Sequence, residues 1–129
     1  MNIYLDIDGV ILANDLRKSN YADEFIKHLV NKYPVYWLTT HCKGDAMFTV
    51  RFLERFFDKE TIEIMKNILP TNWDTLKTEA IDFSQPFLWF DDDLFYEERK
   101  VLIENNCLDS RVEIDLAKDE YQLKKYLEI

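Results

Sequence analysis

Glycine is almost absent from this chain: its 129 residues include two, Gly9 and Gly44. An average protein carries about 7%. A dinucleotide-binding GxGxxG loop needs three glycines, and a phosphate-cradling P-loop needs two at fixed spacing before a lysine. Gly9 and Gly44 can make neither. Cysteine is as scarce. Cys42 and Cys107 are too few for a disulfide framework and form no CxxC zinc pattern, so both read as reduced thiols of a cytoplasmic protein. Positive charge is in deficit, with 16 Lys+Arg against 25 Asp+Glu and a net charge of −9. That balance argues against charge-driven binding to duplex nucleic acid or an anionic membrane, but not against a local phosphate site. No run approaches the ~18 apolar residues of a membrane span. The N-terminus, Met1 to Asp6, lacks the basic region and apolar core of a signal peptide.

Large apolar side chains are plentiful. Nine Phe, seven Tyr and three Trp supply a core for one domain spanning residues 1–129, a length within the usual domain range. Short apolar runs at Ile3–Ile7, Val35–Thr39, Phe87–Phe90 and Val112–Leu116 read as buried strands. Leu69-Pro70 is a candidate for one more short strand. Helical spacing marks Tyr21–Lys32, Asp45–Phe57, Thr61–Ile68, Asp74–Ile81, Tyr96–Asn105 and Lys118–Leu127. Strands that alternate with helices and are apolar on both faces predict an α/β fold with a mainly parallel sheet and helices on both faces. No repeat, linker or low-complexity tract marks a second domain.

The chemistry is expected at the carboxyl ends of the strands. Three expected strands end in polar or acidic residues: Asp6 with Asp8, Thr39 with Thr40, and Asp91 to Asp93. Both glycines follow closely behind two of these ends, where a chain turns sharply or lets a ligand approach its backbone. Clustered carboxylates repel, and a hard cation with oxygen ligands, Mg²⁺ above all, would compensate them and recruit a phosphate. Of Asp6 and Asp8, one could attack phosphorus while the other protonates the leaving oxygen and then activates water. A threonine hydroxyl and a lysine ammonium would serve the phosphoryl oxygens.

These residues resemble a known family. Asp6-Ile7-Asp8-Gly9-Val10 is similar to the DxDx[TV] first motif of the haloacid dehalogenase (HAD) superfamily of phosphohydrolases. Val35 to Thr39 resembles its second motif, Lys77 its third-motif lysine, and Leu88-Trp89-Phe90-Asp91-Asp92 its fourth motif. The four occur in the family's order. The resemblance implies a three-layer Rossmann-like (HAD-like) fold without a cap domain, because Val10–Asn20 has room only for a small turn-and-flap element. It implies a Mg²⁺-dependent phosphomonoester hydrolase working through an aspartyl-phosphate. Asp6 would be nucleophile and metal ligand, and Asp8 general acid/base with its backbone carbonyl on the metal. Thr39 would hydrogen-bond the phosphoryl group and Lys77 would steady its charge. Asp92 would ligate Mg²⁺ directly, with Asp91 in support. Glu97 is the best match for a further acid of the family, and Asp93 has no assigned role. Gly9, Thr40 and His41 are candidate substrate contacts.

An uncapped site suits phosphorylated substrates from small molecules to macromolecular ends. Local similarity to small HAD domains associated with RNA repair keeps open a phosphatase of nucleic-acid ends or nucleotides. A non-catalytic metal- or partner-binding module is the rival reading. The blander alternatives are that acids cap helices, that Lys77 is a surface lysine, that Thr39 satisfies a backbone group, and that His41 is a half-exposed structural histidine. Cys42, His28, Cys107 and the Phe48, Phe52, Phe56, Phe57 stripe read as packing. Nothing in the sequence sets an oligomeric state. Six of the 25 acids, namely Asp6, Asp8, Asp91, Asp92, Asp93 and Glu97, would share one sheet edge with Lys77. More than half of the net charge would then belong to that edge rather than to a generally acidic surface.

Overall fold

The computed structural model describes residues 1–129. Four strands, β1 (Asn2–Leu5), β2 (Val35–Trp37), β3 (Phe87–Asp91) and β4 (Arg111–Glu113), form one all-parallel sheet in the order β2-β1-β3-β4. The α-helices are α1 (Ala22–Lys32), α2 (Ala46–Leu53), α3 (Lys59–Met65) and α4 (Tyr96–Glu104). The fold is thus α/β with a parallel sheet, as the alternation of apolar strands and helices requires.

Side chains alternate across the sheet with period two. Ile3, Leu5, Val35, Trp37 and Phe90 are buried with Phe25, Ile26 and Leu29 of α1, Val50 and Leu53 of α2, and Ile62 and Met65 of α3. Tyr4, Phe87 and Trp89 join a separate cluster with Ile81 and Leu102 of α4. Each large side chain fully withdrawn from water contributes roughly 1.5–3 kcal/mol. Helix starts are fixed by side chains. Asp45 accepts the Met47 N–H ahead of α2, and Asp58 accepts the Thr61 N–H ahead of α3. Helix α1 ends where Tyr33, the residue before Pro34, is held extended.

Leu69 extends the sheet beyond β2. It makes one parallel bridge to Tyr36, with its N–H donating to Val35 O and its carbonyl accepting from Trp37 N. The possible strand at Leu69-Pro70 is reduced to that residue. Counting it, the chain lays its strands from β1 outward past β2 on one side, then returns to place β3 and β4 on the other. The direction of winding therefore reverses between β1 and β3, the point where open parallel sheets receive ligands.

Several expected elements are shorter or different. The Asp74–Ile81 helix is only a 3₁₀ segment, Lys77–Ala80. The Glu79 carboxylate takes the N–H groups of Asp74, Thr75 and Leu76 and curls them into a loop. The Lys118–Leu127 helix is a 3₁₀ segment at Gln122–Tyr126. There Asp115 accepts Lys118 N–H, Asp119 accepts Tyr121 N–H, and the Gln122 amide bonds Asp115 N–H and Glu113 O. Side chains that satisfy nearby backbone groups compete with helix formation. The strand expected to reach Leu116 stops at Glu113, before that turn. The phenylalanine stripe divides. Phe57 is buried but Phe48 is exposed, because α2 turns Thr49, Val50 and Leu53 inward.

Candidate active site

Strands β1 and β3 are neighbours in register, with Leu5 opposite Phe90. Asp6 therefore emerges from β1 beside Asp91, the last residue of β3, and the Asp6 N–H still donates to Phe90 O. The two acids meet because the register of two apolar strands brings Asp6 level with Asp91. One oxygen each from Asp6, Asp91 and Asp92 lies within 4.8 Å of the other two.

Asp6 and Asp91 are buried, which is costly for charged groups unless something pairs with them. Lys77 does so. Its Nζ is 2.7 Å from Asp91 Oδ2 and 3.5 Å from Asp6 Oδ2. Burial pulls the Lys77 ammonium down, but Asp6 and Asp91 together outweigh it and hold its pKa above the ordinary lysine value. One cation does not compensate the whole cluster. Burial first, and the Asp91 charge second, keep the Asp6 carboxyl well above the usual carboxylate range despite Lys77. Burial and the hydrogen bond and charge of Asp91 push Asp92 up to about 6.

The sequence placed Lys77 here but missed what orients it. Glu98, buried on the first turn of α4, accepts Lys77 N–H at 2.9 Å with one oxygen and Phe95 N–H at 3.0 Å with the other. Glu97, the expected further acid, is exposed. The available signal was position: a glutamate at the third residue of a helix reaches back to the N–H at the helix start, and Glu98 holds that place in a helix beginning at Tyr96.

A cleft of about 210 Å³ opens over the acids. It is lined by Asp6, Asp8, Thr40, Lys77, Asp91, Asp92, Asp93 and Glu98, with Trp73 and Phe95 as its apolar residues. Thr39, expected on the phosphoryl group, is fully buried. Its hydroxyl oxygen accepts the His41 N–H at 3.3 Å. The hydroxyl on the cleft wall belongs to Thr40. Gly9 has φ +81°, and the Asp92 carboxylate fills the space where a side chain at Gly9 would stand. Gly9, a candidate substrate contact, also gives Asp92 its seat. Asp93 serves its own turn: its N–H donates to Asp91 Oδ1, and its carboxylate accepts Leu94 N–H. His41 reaches the site through Asp8, with Nε2 2.8 Å from Asp8 Oδ2. Cys42 is buried beneath.

The donor set could hold a hard divalent cation. All three converging atoms are carboxylate oxygens, the donors that ions such as Mg²⁺ take. The raised pKa values of Asp6 and Asp92 mark negative charge that a cation would relieve. Both oxygens of Asp91 are already engaged, by Lys77 and by Asp93 N–H. That leaves Asp6 and Asp92 as the freer ligands.

No family model matches the chain, and neither the curated proteins nor the solved structures hold a match. No helix is long and apolar enough to cross a membrane.

Proposed function

We propose that the chain is a Mg²⁺-dependent phosphomonoester hydrolase of the HAD type, with a three-layer Rossmann-like fold and no cap. The observation that carries this reading is the Asp6, Asp91, Asp92 cluster braced by Lys77 at the reversal point of the sheet. Three of the four sequence motifs, the first, third and fourth, bring Asp6 and Asp8, Lys77, and Asp91 and Asp92 from separated stretches of chain to that one edge. Between β1 and α1 the chain makes only turns and two isolated bridges, at Asp8–Leu12 and Leu12–Lys18, in keeping with an uncapped site.

In this reading Asp6 attacks phosphorus, and Asp8, on the exposed side of the cleft, gives its proton to the departing oxygen. Asp8 then takes a proton from the water that cleaves the aspartyl-phosphate. Lys77 holds the Asp6 side chain and faces the phosphoryl charge, with Thr40 donating from the opposite wall. Asp6, Asp92 and the Asp8 carbonyl would hold Mg²⁺, which supplies charge stabilisation at the phosphoryl oxygens when bound.

A nucleotide or nucleic-acid end is the second reading for the substrate. It is favoured by Trp73 and by the exposed Phe95, the aromatic members of an otherwise polar cleft, since aromatic faces stack bases. Phosphate release from p-nitrophenyl phosphate with Mg²⁺ tests the activity. Salt-dependent binding of an RNA 3′-phosphate tests the second reading. No release from a panel of phosphomonoesters with metal present would leave the non-catalytic binding module as the better account.

A further inference from the structure

We infer that His41 is a positioning residue for Asp8, holding one carboxylate oxygen so that the other meets the leaving group. The inference rests on the phosphohydrolase reading above and assigns a duty within it.

His41 is held on every side that matters. Its backbone N–H donates to Thr39 Oγ1 at 3.3 Å, and its carbonyl accepts from the fully buried Thr49 hydroxyl at 2.7 Å. Its ring stacks on Phe52, with centroids 4.3 Å apart and planes 12° from parallel. Phe56 packs edge-on against Phe52 at 5.5 Å, and the Arg55 guanidinium lies 5.6 Å from the Phe52 ring. Phe52, packed at the margin of the core as its spacing predicts, is also a platform for the imidazole. From it, Nε2 reaches Asp8 Oδ2 at 2.8 Å. With the acid proton on the other oxygen, Oδ2 is left as an acceptor, so in this reading Nε2–H donates to it.

Asp8 otherwise lacks support. Its side chain is 54% exposed, and no protein group donates to its other oxygen. An unsupported carboxyl would sample several rotamers, whereas proton transfer needs one within hydrogen-bond reach of the reacting oxygen. His41 supplies the constraint and keeps its own proton throughout. In the first step the Asp6 oxygen bonds to phosphorus, the ester P–O bond breaks, and the Asp8 proton passes to the leaving oxygen. In the second, water bonds to phosphorus, its proton passes to Asp8, and the Asp6–phosphorus bond breaks.

The test exploits the leaving group. Nitrophenolate departs without a proton, but the alkoxide of glycerol 2-phosphate needs one. With Mg²⁺ present, His41→Ala should raise the ratio of kcat/KM for p-nitrophenyl phosphate over glycerol 2-phosphate by on the order of 100-fold, the scale of general acid catalysis. His41→Gln, which keeps an N–H donor at that reach, should restore most of the original ratio. An unmoved ratio in folded His41→Ala overturns the positioning role. Should that variant not fold, Phe52→Leu removes the platform and keeps the imidazole. It should raise the ratio several-fold, and an unmoved ratio there overturns the role equally. Wild-type protein inactive on both esters overturns the phosphohydrolase reading and the role with it. Active wild type with unmoved ratios overturns the role alone.

Discussion

The carboxylate of Asp92 lies over the α-carbon of Gly9, so closely that a Cβ at Gly9 would collide with it. Gly9 has φ +81°, a region that costs an L-residue roughly 1–2 kcal/mol. Gly9→Ala should lose at least that much stability in a denaturant melt. It should also displace Asp92 and weaken Mg²⁺ binding, measured by calorimetry, by about tenfold or more, a typical loss when a ligand's support is removed. Unchanged metal affinity would separate Asp92 from the metal.

The carboxylate cluster predicts an unusual pH dependence. Asp6 and Asp92 hold protons more tightly in the folded chain than in the unfolded one. Their contribution to stability is present below the ordinary carboxylate range and is lost as pH rises through the folded pKa, about 6 for Asp92. Mg²⁺ must displace those protons, so its stabilising effect has the opposite sign of pH dependence. The Mg²⁺-induced rise in Tm should be clear near pH 7.5, shrink as pH falls through the Asp92 value, and vanish on adding chelator. A rise that is equal at about pH 5 would place the ion away from these acids.

Glu98 joins two elements by its two oxygens, bonding Lys77 N–H and Phe95 N–H. Glu98→Ala leaves both donors without an acceptor and should cost about 2–6 kcal/mol, at 1–3 kcal/mol per unsatisfied buried group. Glu98→Gln keeps one acceptor oxygen and should cost about half as much. The check is the denaturation midpoint, with kcat falling in the same order because Lys77 loses its anchor.

Lys77 itself separates structure from function. Lys77→Met removes the cation that offsets Asp6 and Asp91 while keeping most of the apolar stem. Removing one partner of a buried ion pair costs about 3–5 kcal/mol. That loss should be largest at high pH, where the acids are ionised, and partly recovered by Mg²⁺. Equal losses at all pH values would show that Lys77 acts by packing alone.

The parts of the fold legible in the sequence are those governed by apolar patterning. Strands β1, β2 and β3 and helix α1 follow from runs such as Phe87–Phe90 and from the spacing of Phe25, Ile26 and Leu29, because burial decides them. Illegible parts are governed by single side chains bonding nearby backbone. Glu79 unwinds the expected helix before Lys77, and Asp115, Asp119 and Gln122 do the same near the C-terminus. Periodicity carries no trace of such bonds. The same division runs through the site. Asp6, Asp91 and Asp92 could be placed because strand ends align in a parallel sheet. The inward turn of Thr39, the seating of Asp92 on Gly9 and the Asp8–His41 pair depend on loop geometry that no spacing rule encodes. Glu98 was within reach, since its position at the start of α4 marks it as the residue that turns back.

The covalent role of Asp6 is the centre of the account, and an acid-quenched single turnover reads it directly. Protein mixed with Mg²⁺ and p-nitrophenyl phosphate would be quenched within one turnover, digested and mapped by mass spectrometry. One phosphoryl group should appear on the peptide holding Asp6, be removed by hydroxylamine as an acyl phosphate is, and be absent from Asp6→Asn. Nitrophenol released with no phosphorylated peptide, or with the phosphoryl group on another residue, would contradict it.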